Sequence, residues 1–229
     1  MRKRKSKSPV TRKDTSQKAR KKAVVKRKKV DKKPKDGYFR NIYYESLQEK
    51  YTLAWLFELK DLGYISEIKR GVSFLLSDAV MNNYVQQQKR GSKPMSQIIL
   101  RGHSYTDDFI VIVNQKALGK FFWELGSNTK YNKTLLICNR LDGSLVCRIE
   151  TKPRYNRSAS DSLPKAVDNM KWVFQKYGIF VNLFIPEEHF ERTFVPQEYR
   201  KTEAGRDRLI KFKALTLKEY IENERTNSK

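Results

Sequence analysis

Ser144-Leu145-Val146-Cys147-Arg148-Ile149-Glu150-Thr151-Lys152 is the stretch on which the reading of the fold turns. It follows Leu141-Asp142-Gly143, and Asp-Gly between two apolar runs is a strong hairpin-turn signal, so residues 134–140 and 144–152 predict two antiparallel strands. On a period of two, Arg148, Glu150 and Lys152 share one face of the second strand. An acid and a lysine buried together on a sheet face are costly without further partners. Those partners must come from carboxylates, cations or a ligand that the rest of the chain brings beside this strand.

Upstream, residues 44–62 predict a helix, because Leu47, Tyr51, Ala54, Trp55, Leu59 and Leu62 recur at helical spacing and Gly63 is a natural stop. Leu53 and Leu56 form a second apolar face with Glu49 between them; Glu49 is read as a site carboxylate, with an exposed helix acid as the alternative. Residues 64–77 predict one or two short strands, and residues 78–103 an irregular polar insertion. Ser104 to Val113 reads as one strand, rich in β-branched residues, with Asp108, Ile110 and Ile112 on one face and Asp107, Phe109, Val111 and Val113 on the other. Residues 115–133 are ambiguous, and Phe121-Phe122-Trp123 within them suggests a short helix.

Downstream, residues 153–160 form a basic loop. A helix is predicted over 163–177 with Gly178 as its stop, then a strand from Ile179 to Ile185 and a polar, partly helical C-terminal extension over 187–229.

Three carboxylates, Glu49, Asp108 and Glu150, followed by Lys152, can hold a divalent cation and an activated water beside a phosphodiester. Hard oxygen ligands suit Mg²⁺, which binds through one or two carboxylates, waters and substrate phosphate; Mn²⁺ can substitute. In this reading Asp108, Glu150 and the Thr151 carbonyl bind the metal, Glu49 holds a metal-bound water, and Lys152 orients the attacking water and offsets charge on the phosphate.

The order helix-Glu, strand-Asp, strand-Glu-x-Lys, helix resembles the PD-(D/E)XK nuclease superfamily over roughly residues 40–186, and within it the small phage-type endonucleases and Holliday-junction resolvases. Ser46-Leu47-Gln48-Glu49 matches their Ser-x-x-Glu helix pattern, and Tyr105-Thr106-Asp107-Asp108-Phe109 their Tyr-x-x-Asp-Phe strand pattern. Thr106 stands before the Asp pair where the family has Pro, and the gap from Asp108 to Glu150 is long. The resemblance implies an α/β, restriction-endonuclease-like αβββαβ core with a mixed central sheet, Mg²⁺ dependence, and hydrolysis to a 5′-phosphate and a 3′-hydroxyl. It also implies a further Lys or Gln from the following helix, for which Lys165, Lys171 and Gln175 are candidates, and a homodimer.

Composition supports a polyanionic partner. The chain of 229 residues carries a formal net charge of +24, with 49 Lys and Arg against 25 Asp and Glu. Residues 1–36 hold 18 Lys/Arg and 3 Asp with almost nothing apolar, which predicts a disordered basic arm. The domain reading is thus an arm over 1–36, a nuclease core over 37–186 and an extension over 187–229. Cys138 and Cys147 form no CxxC pair, and His103 and His189 have no metal spacing and read as loop or surface residues, so neither zinc nor a disulfide framework is indicated. No apolar run has bilayer-spanning length, and no P-loop motif occurs. Tyr38, Phe39, Tyr43 and Tyr44 can pack in the core or stack on bases.

The expected function is a metal-dependent DNA endonuclease, selective for structure such as branches or junctions, with Arg154, Arg157 and Lys165 as backbone clamps. The expected location is cytoplasmic, in the bacterial host of a phage, or nuclear in a eukaryote. The competing expectations are a non-catalytic nucleic-acid-binding packaging or virion protein, and an endonuclease subunit of a transposition system.

Overall fold

The computed structural model describes residues 36–154, 162–202 and 204–227. The expected basic arm, up to residue 35, and Arg157 lie outside the described residues.

In chain order the elements are β1 (Gly37–Phe39), β2 (Ile42–Tyr44), α1 (Leu47–Asp61), β3 (Ile65–Arg70), β4 (Ser73–Ser77), β5 (Val80–Gln88), β6 (Gly91–Leu100), β7 (His103–Thr106), β8 (Phe109–Val113), β9 (Phe122–Glu124), β10 (Leu136–Leu141), β11 (Ser144–Thr151), α2 (Ser162–Tyr177), β12 (Val181–Phe184), α3 (Pro186–Arg192), α4 (Gln197–Arg200) and α5 (Leu217–Asn227). The architecture is mixed α/β, and its central sheet is mixed. β3, β8, β11 and β10 pair antiparallel in that order, while β9 runs parallel to β10 and β12 parallel to β11.

One edge of β11 belongs to β8. The other is divided: residues 144–147 pair with β10 and residues 148–151 with β12. Two buried asparagines seal the point where one neighbour gives way to the other. Asn182 accepts from the Ile137 amide at 2.7 Å and donates to the Ile137 and Arg148 carbonyls at 2.8 and 2.9 Å. Asn139 accepts from the Phe180 amide at 2.7 Å and donates to the Phe180 carbonyl at 2.9 Å. These bonds satisfy backbone groups that the divided edge would otherwise leave unpaired.

α1 is buried on almost all sides, as expected of a helix with two apolar faces. It ends in a Schellman motif: Tyr64 N–H donates to Leu59 O at 2.9 Å and Gly63 N–H to Lys60 O at 2.8 Å, with Gly63 at φ 72°. Trp55 is the centre of the core, with its ring against those of Phe121, Phe122, Phe184, His189 and Phe194. α3, α4 and α5 follow β12, and Phe190, Phe194, Val195, Tyr199, Leu217 and Tyr220 belong to this same core. A second, smaller core of Phe74, Leu76, Tyr105, Val173 and Val181 lies between α2 and the β4–β7 pair.

The hairpin over 134–152 forms as expected, with Asp142 and Gly143 at φ 47° and 79° in its two-residue turn. Four expectations are corrected. Ser104–Val113 is two strands, β7 and β8, broken at Asp107-Asp108, and β7 pairs with β4 outside the central sheet. Residues 78–103 are not irregular; they hold the β5–β6 ribbon, a hairpin whose two faces are both exposed, so that no apolar alternation marks it. Phe121-Phe122-Trp123 is no helix, because Phe122–Glu124 is recruited as a strand alongside β10. His189 is not at the surface: its ring packs 4.4 Å from that of Phe184, and burial, with Arg192 nearby, holds its pKa down at about 3. Phe39 and Tyr44 pack on the core, whereas Tyr38 is exposed. No helix among the described residues is long and apolar enough to cross a membrane.

Candidate active site

Glu49 enters from the first turn of α1. Ser46 is the N-cap: its Oγ accepts from Glu49 N–H at 3.2 Å and donates to Glu49 Oε1 at 3.0 Å. Glu49 Oε2 accepts from Glu45 N–H at 3.1 Å and from Arg70 Nη1 at 2.7 Å. The Ser-x-x-Glu pattern is thus a variant of the capping box, satisfying orphan amides at the helix start. The same carboxylate is only 7% exposed and ion-paired to the last residue of β3.

Asp108 sits at the bend between β7 and β8 and laces three segments together. Its carbonyl accepts from Gly71 N–H at 3.0 Å, its amide donates to Ile149 O at 2.9 Å, and its Oδ2 accepts from Thr151 N–H at 2.6 Å. Burial and the charge of Glu150 push the Asp108 carboxyl up to about 7; Glu49 adds to that, and the Thr151 amide and Lys152 oppose it. Glu49, Glu150 and Lys152 thus each act on the charge of Asp108.

Glu150 is 5% exposed near the end of β11. Its Oε2 accepts from Tyr105 Oη at 2.9 Å, and its Oε1 is paired with Lys152 Nζ. Burial alone would lower the lysine's pKa. The hydrogen bond and charge of Glu150, with Asp108 and Glu49, outweigh it and raise the value. Lys152 therefore stays protonated at neutral pH. Burial, reinforced by Glu150, pushes the Tyr105 phenol far up, so it remains a donor. Thr151 turns its side chain the other way, to Thr52 Oγ1 of α1 at 3.2 Å.

Asp107, the neighbour of Asp108, serves the scaffold. It accepts from Arg148 Nη1 and from Val72 N–H, both at 3.0 Å, and the Arg148 guanidinium lies 4.7 Å from the centre of the Phe74 ring. Gly71 is required below this bend. A Cβ there would lie 1.7 Å from Asp107 O.

The remaining expected residues are dispersed. Lys171 pairs with Asp168 at 3.3 Å. With Gln175, Lys171 lines an apolar cavity of about 490 Å³ beside Phe174 and Phe180. That cavity adjoins the start of β12, whereas Lys152 N–H bonds Phe184 O at its end. Lys165 is exposed in the first turns of α2, and Arg154 is exposed, 4.0 Å from Glu188. Sequence reasoning missed Arg70 and Gly71, and placed Arg148 on the face of Glu150 and Lys152 without a role. Tyr105 stood inside the Tyr-x-x-Asp pattern but had no role assigned to it.

Among the described residues no group of three or more His, Cys, Asp or Glu side chains is disposed to hold a metal ion. Asp108 and Glu150 form a pair, and Glu49 is engaged by Arg70. Comparison with known proteins finds no matching family model, no matching curated protein and no matching solved structure.

Proposed function

We propose that the chain is a Mg²⁺-dependent DNA endonuclease with a restriction-endonuclease-like core of the PD-(D/E)XK type. The observation that carries this reading is the buried Glu150 carboxylate, ion-paired to Lys152, with the half-buried Asp108 carboxylate on the intervening Thr151 amide, at the common end of β8 and β11. The elements α1, β3, β8, β11, α2 and β12 support it, giving αβββαβ when the β4–β7 and β9–β10 segments between them are taken as insertions.

The donor set fits a hard divalent cation. Mg²⁺ needs only one or two protein carboxylates and takes its other oxygens from water and substrate phosphate. Burial and Glu150 push the Asp108 carboxyl up to about 7 by disfavouring its charge, and a cation would relieve that. Asp108, Glu150 and the Thr151 carbonyl are the residues to hold it, because a strand residue's amide and carbonyl point to the same edge and the Thr151 amide already points to Asp108. A bound Mg²⁺, or Mn²⁺ in its place, supplies an activated water and offsets charge on the phosphate. Lys152 donates to a phosphate oxygen or the attacking water, and Tyr105 holds the Glu150 carboxylate in orientation. Glu49 would hold that water in exchange for its present pairing with Arg70. The basic composition supports DNA as substrate, with selectivity for branched structure and action as a homodimer as the finer parts of the proposal.

The test incubates purified protein with supercoiled plasmid and with a four-way junction, in Mg²⁺ or EDTA. Metal-dependent cleavage that disappears in Glu150→Ala and Lys152→Ala, while binding persists, is the expected result. Binding without cleavage in any metal would overturn it in favour of a non-catalytic packaging protein.

A further inference from the structure

The β5–β6 ribbon is the feature that the fold itself does not use. Its strands pair from Val80↔Leu100 to Gln88↔Gly91, and Lys89-Arg90 form its two-residue tip. Neither strand pairs with any other strand among the described residues, and eighteen of its nineteen strand residues are exposed, Val85 and Leu100 at 62%. A two-stranded ribbon with no covered face is marginal in water, so this one is built to meet a partner.

The chemistry of the ribbon identifies that partner. From Ala79 to Thr106 the chain contains no Asp or Glu, and Lys89, Arg90, Lys93 and Arg101 lie within that stretch. In the observed register Asn82 faces Gln97, Tyr84 faces Met95 and Gln86 faces Lys93, and alternation puts these six on one face with Gln88, so that four amide side chains surround a central Tyr84–Met95 pair. The other face alternates apolar and polar pairs, Met81 beside Ile98, Asn83 beside Ser96, Val85 beside Pro94 and Gln87 beside Ser92, and so carries half as many amides. One face thus presents amide groups, which read base edges, and the tip presents cations, which bind phosphates. Nine to ten residues per strand give a reach of about 30 Å. That is ample for a major groove about 12 Å wide, which admits a two-stranded ribbon.

The root of the ribbon is the β4–β7 pair, and β7 carries Tyr105, the partner of Glu150. Gly102 permits the close crossing there, since a Cβ would lie 3.2 Å from Ser77 O.

We propose that the β5–β6 ribbon is a DNA-reading arm. It lies in the major groove with its amide face toward the bases and Lys89, Arg90 and Lys93 on flanking phosphates. The proposal rests on DNA being the substrate of the site described above.

The test measures binding of the full chain to a labelled duplex by fluorescence anisotropy across a salt series in EDTA. Lys89→Ser/Arg90→Ser/Lys93→Ser lowers the slope of log affinity against log salt by roughly 2–3, at about 0.9 per phosphate contact. Gln86→Ala/Gln88→Ala leaves that slope unchanged and flattens the sequence preference in selection from a randomised duplex pool. All five positions are exposed strand or tip residues, so the variants fold. An unchanged slope in the triple variant overturns the arm. So does a dimer dispersed by Val85→Ser/Ile98→Ser with DNA binding intact, which would make the ribbon a self-association surface. A reduced slope in a chain that never cleaves keeps the arm and removes the nuclease. An unchanged slope in a chain that cleaves does the reverse.

Discussion

Tyr105 donates its hydroxyl to Glu150 Oε2 at 2.9 Å, so a residue of the small β4–β7 sheet fixes a carboxylate of the central sheet. With Lys152 on Oε1, both oxygens of Glu150 are oriented, one by a neutral donor and one by a charged one. The two sheets share no strand, and this bond joins them at the site.

Tyr105→Phe is expected to cost about 1–3 kcal/mol, because it leaves a buried acceptor short of a donor without removing the ring. Denaturant unfolding in EDTA would read the loss, and cleavage would fall while DNA affinity held. A variant as stable and as active as the parent would show that the hydroxyl does not position Glu150.

Gly71→Ala should be far more damaging than its size suggests. The added methyl would meet the Asp107 carbonyl at 1.7 Å, and the Asp107–Asp108 bend would have to move, at about 3 kcal/mol or more. Gly143→Ala is the control: it sits at φ 79° with open space around it and should cost only about 1 kcal/mol in backbone strain. Comparable midpoint shifts for the two would contradict this account.

Asp108→Asn should stabilise the metal-free chain in a pH-dependent way. The native carboxyl, at about 7, lies above its ordinary value of 3.8. Below about pH 4 the group is protonated in both states and makes no difference. Between 4 and 7 the unfolded chain gives up this proton while the native chain keeps it, so parental stability falls as pH rises; above 7 the loss is complete. At about 1.4 kcal/mol per unit the effect amounts to several kcal/mol. The melting-temperature gap between variant and parent, in EDTA, should widen from pH 4 to 7 and then level off. A gap that is constant with pH would refute the assignment. The variant should not cleave.

Arg70→Met leaves Glu49 without its charged partner and should destabilise the chain by about 1–3 kcal/mol, discounted because Arg70 is 32% exposed. Ser46→Ala removes the cap for about 1 kcal/mol. Adding Glu49→Gln should recover much of the Arg70→Met loss and little of the Ser46→Ala loss. Urea denaturation of the double-mutant cycle measures both couplings.

Elements whose pattern is local were readable from the residues. α1 was legible in its apolar spacing and Gly63, and the β10–β11 hairpin in Asp142-Gly143. The break at Asp107-Asp108 was not, because local propensity runs straight through it. What bends the chain there is the Gly71 amide, Arg148 and the Ile149 carbonyl, all distant in sequence. The β5–β6 ribbon was hidden for a related reason: neither of its faces is buried, so no alternation marks it. At the proposed site, the nearness of Asp108, Glu150 and Lys152 was anticipated by their order on predicted elements. Glu49 could be found too, but Ser46-x-x-Glu49 is at once a site pattern and a capping pattern, and the Arg70 pairing that weighs between them crosses from helix to strand.

The divided edge of β11 separates what can vary from what cannot. β10, with β9 beyond it, flanks only the half of β11 remote from Glu150, while β12 flanks the half that carries Glu150 and Thr151. The long excursion between Asp108 and Glu150 is therefore accommodated on one side of a seam, and Asn139 and Asn182 close that seam. Loop lengthening within the stretch 126–133, beyond the buried Phe121 and Phe122, should leave the geometry around Glu150 undisturbed so long as those two amides persist, which makes this loop the natural place to graft new sequence into the molecule.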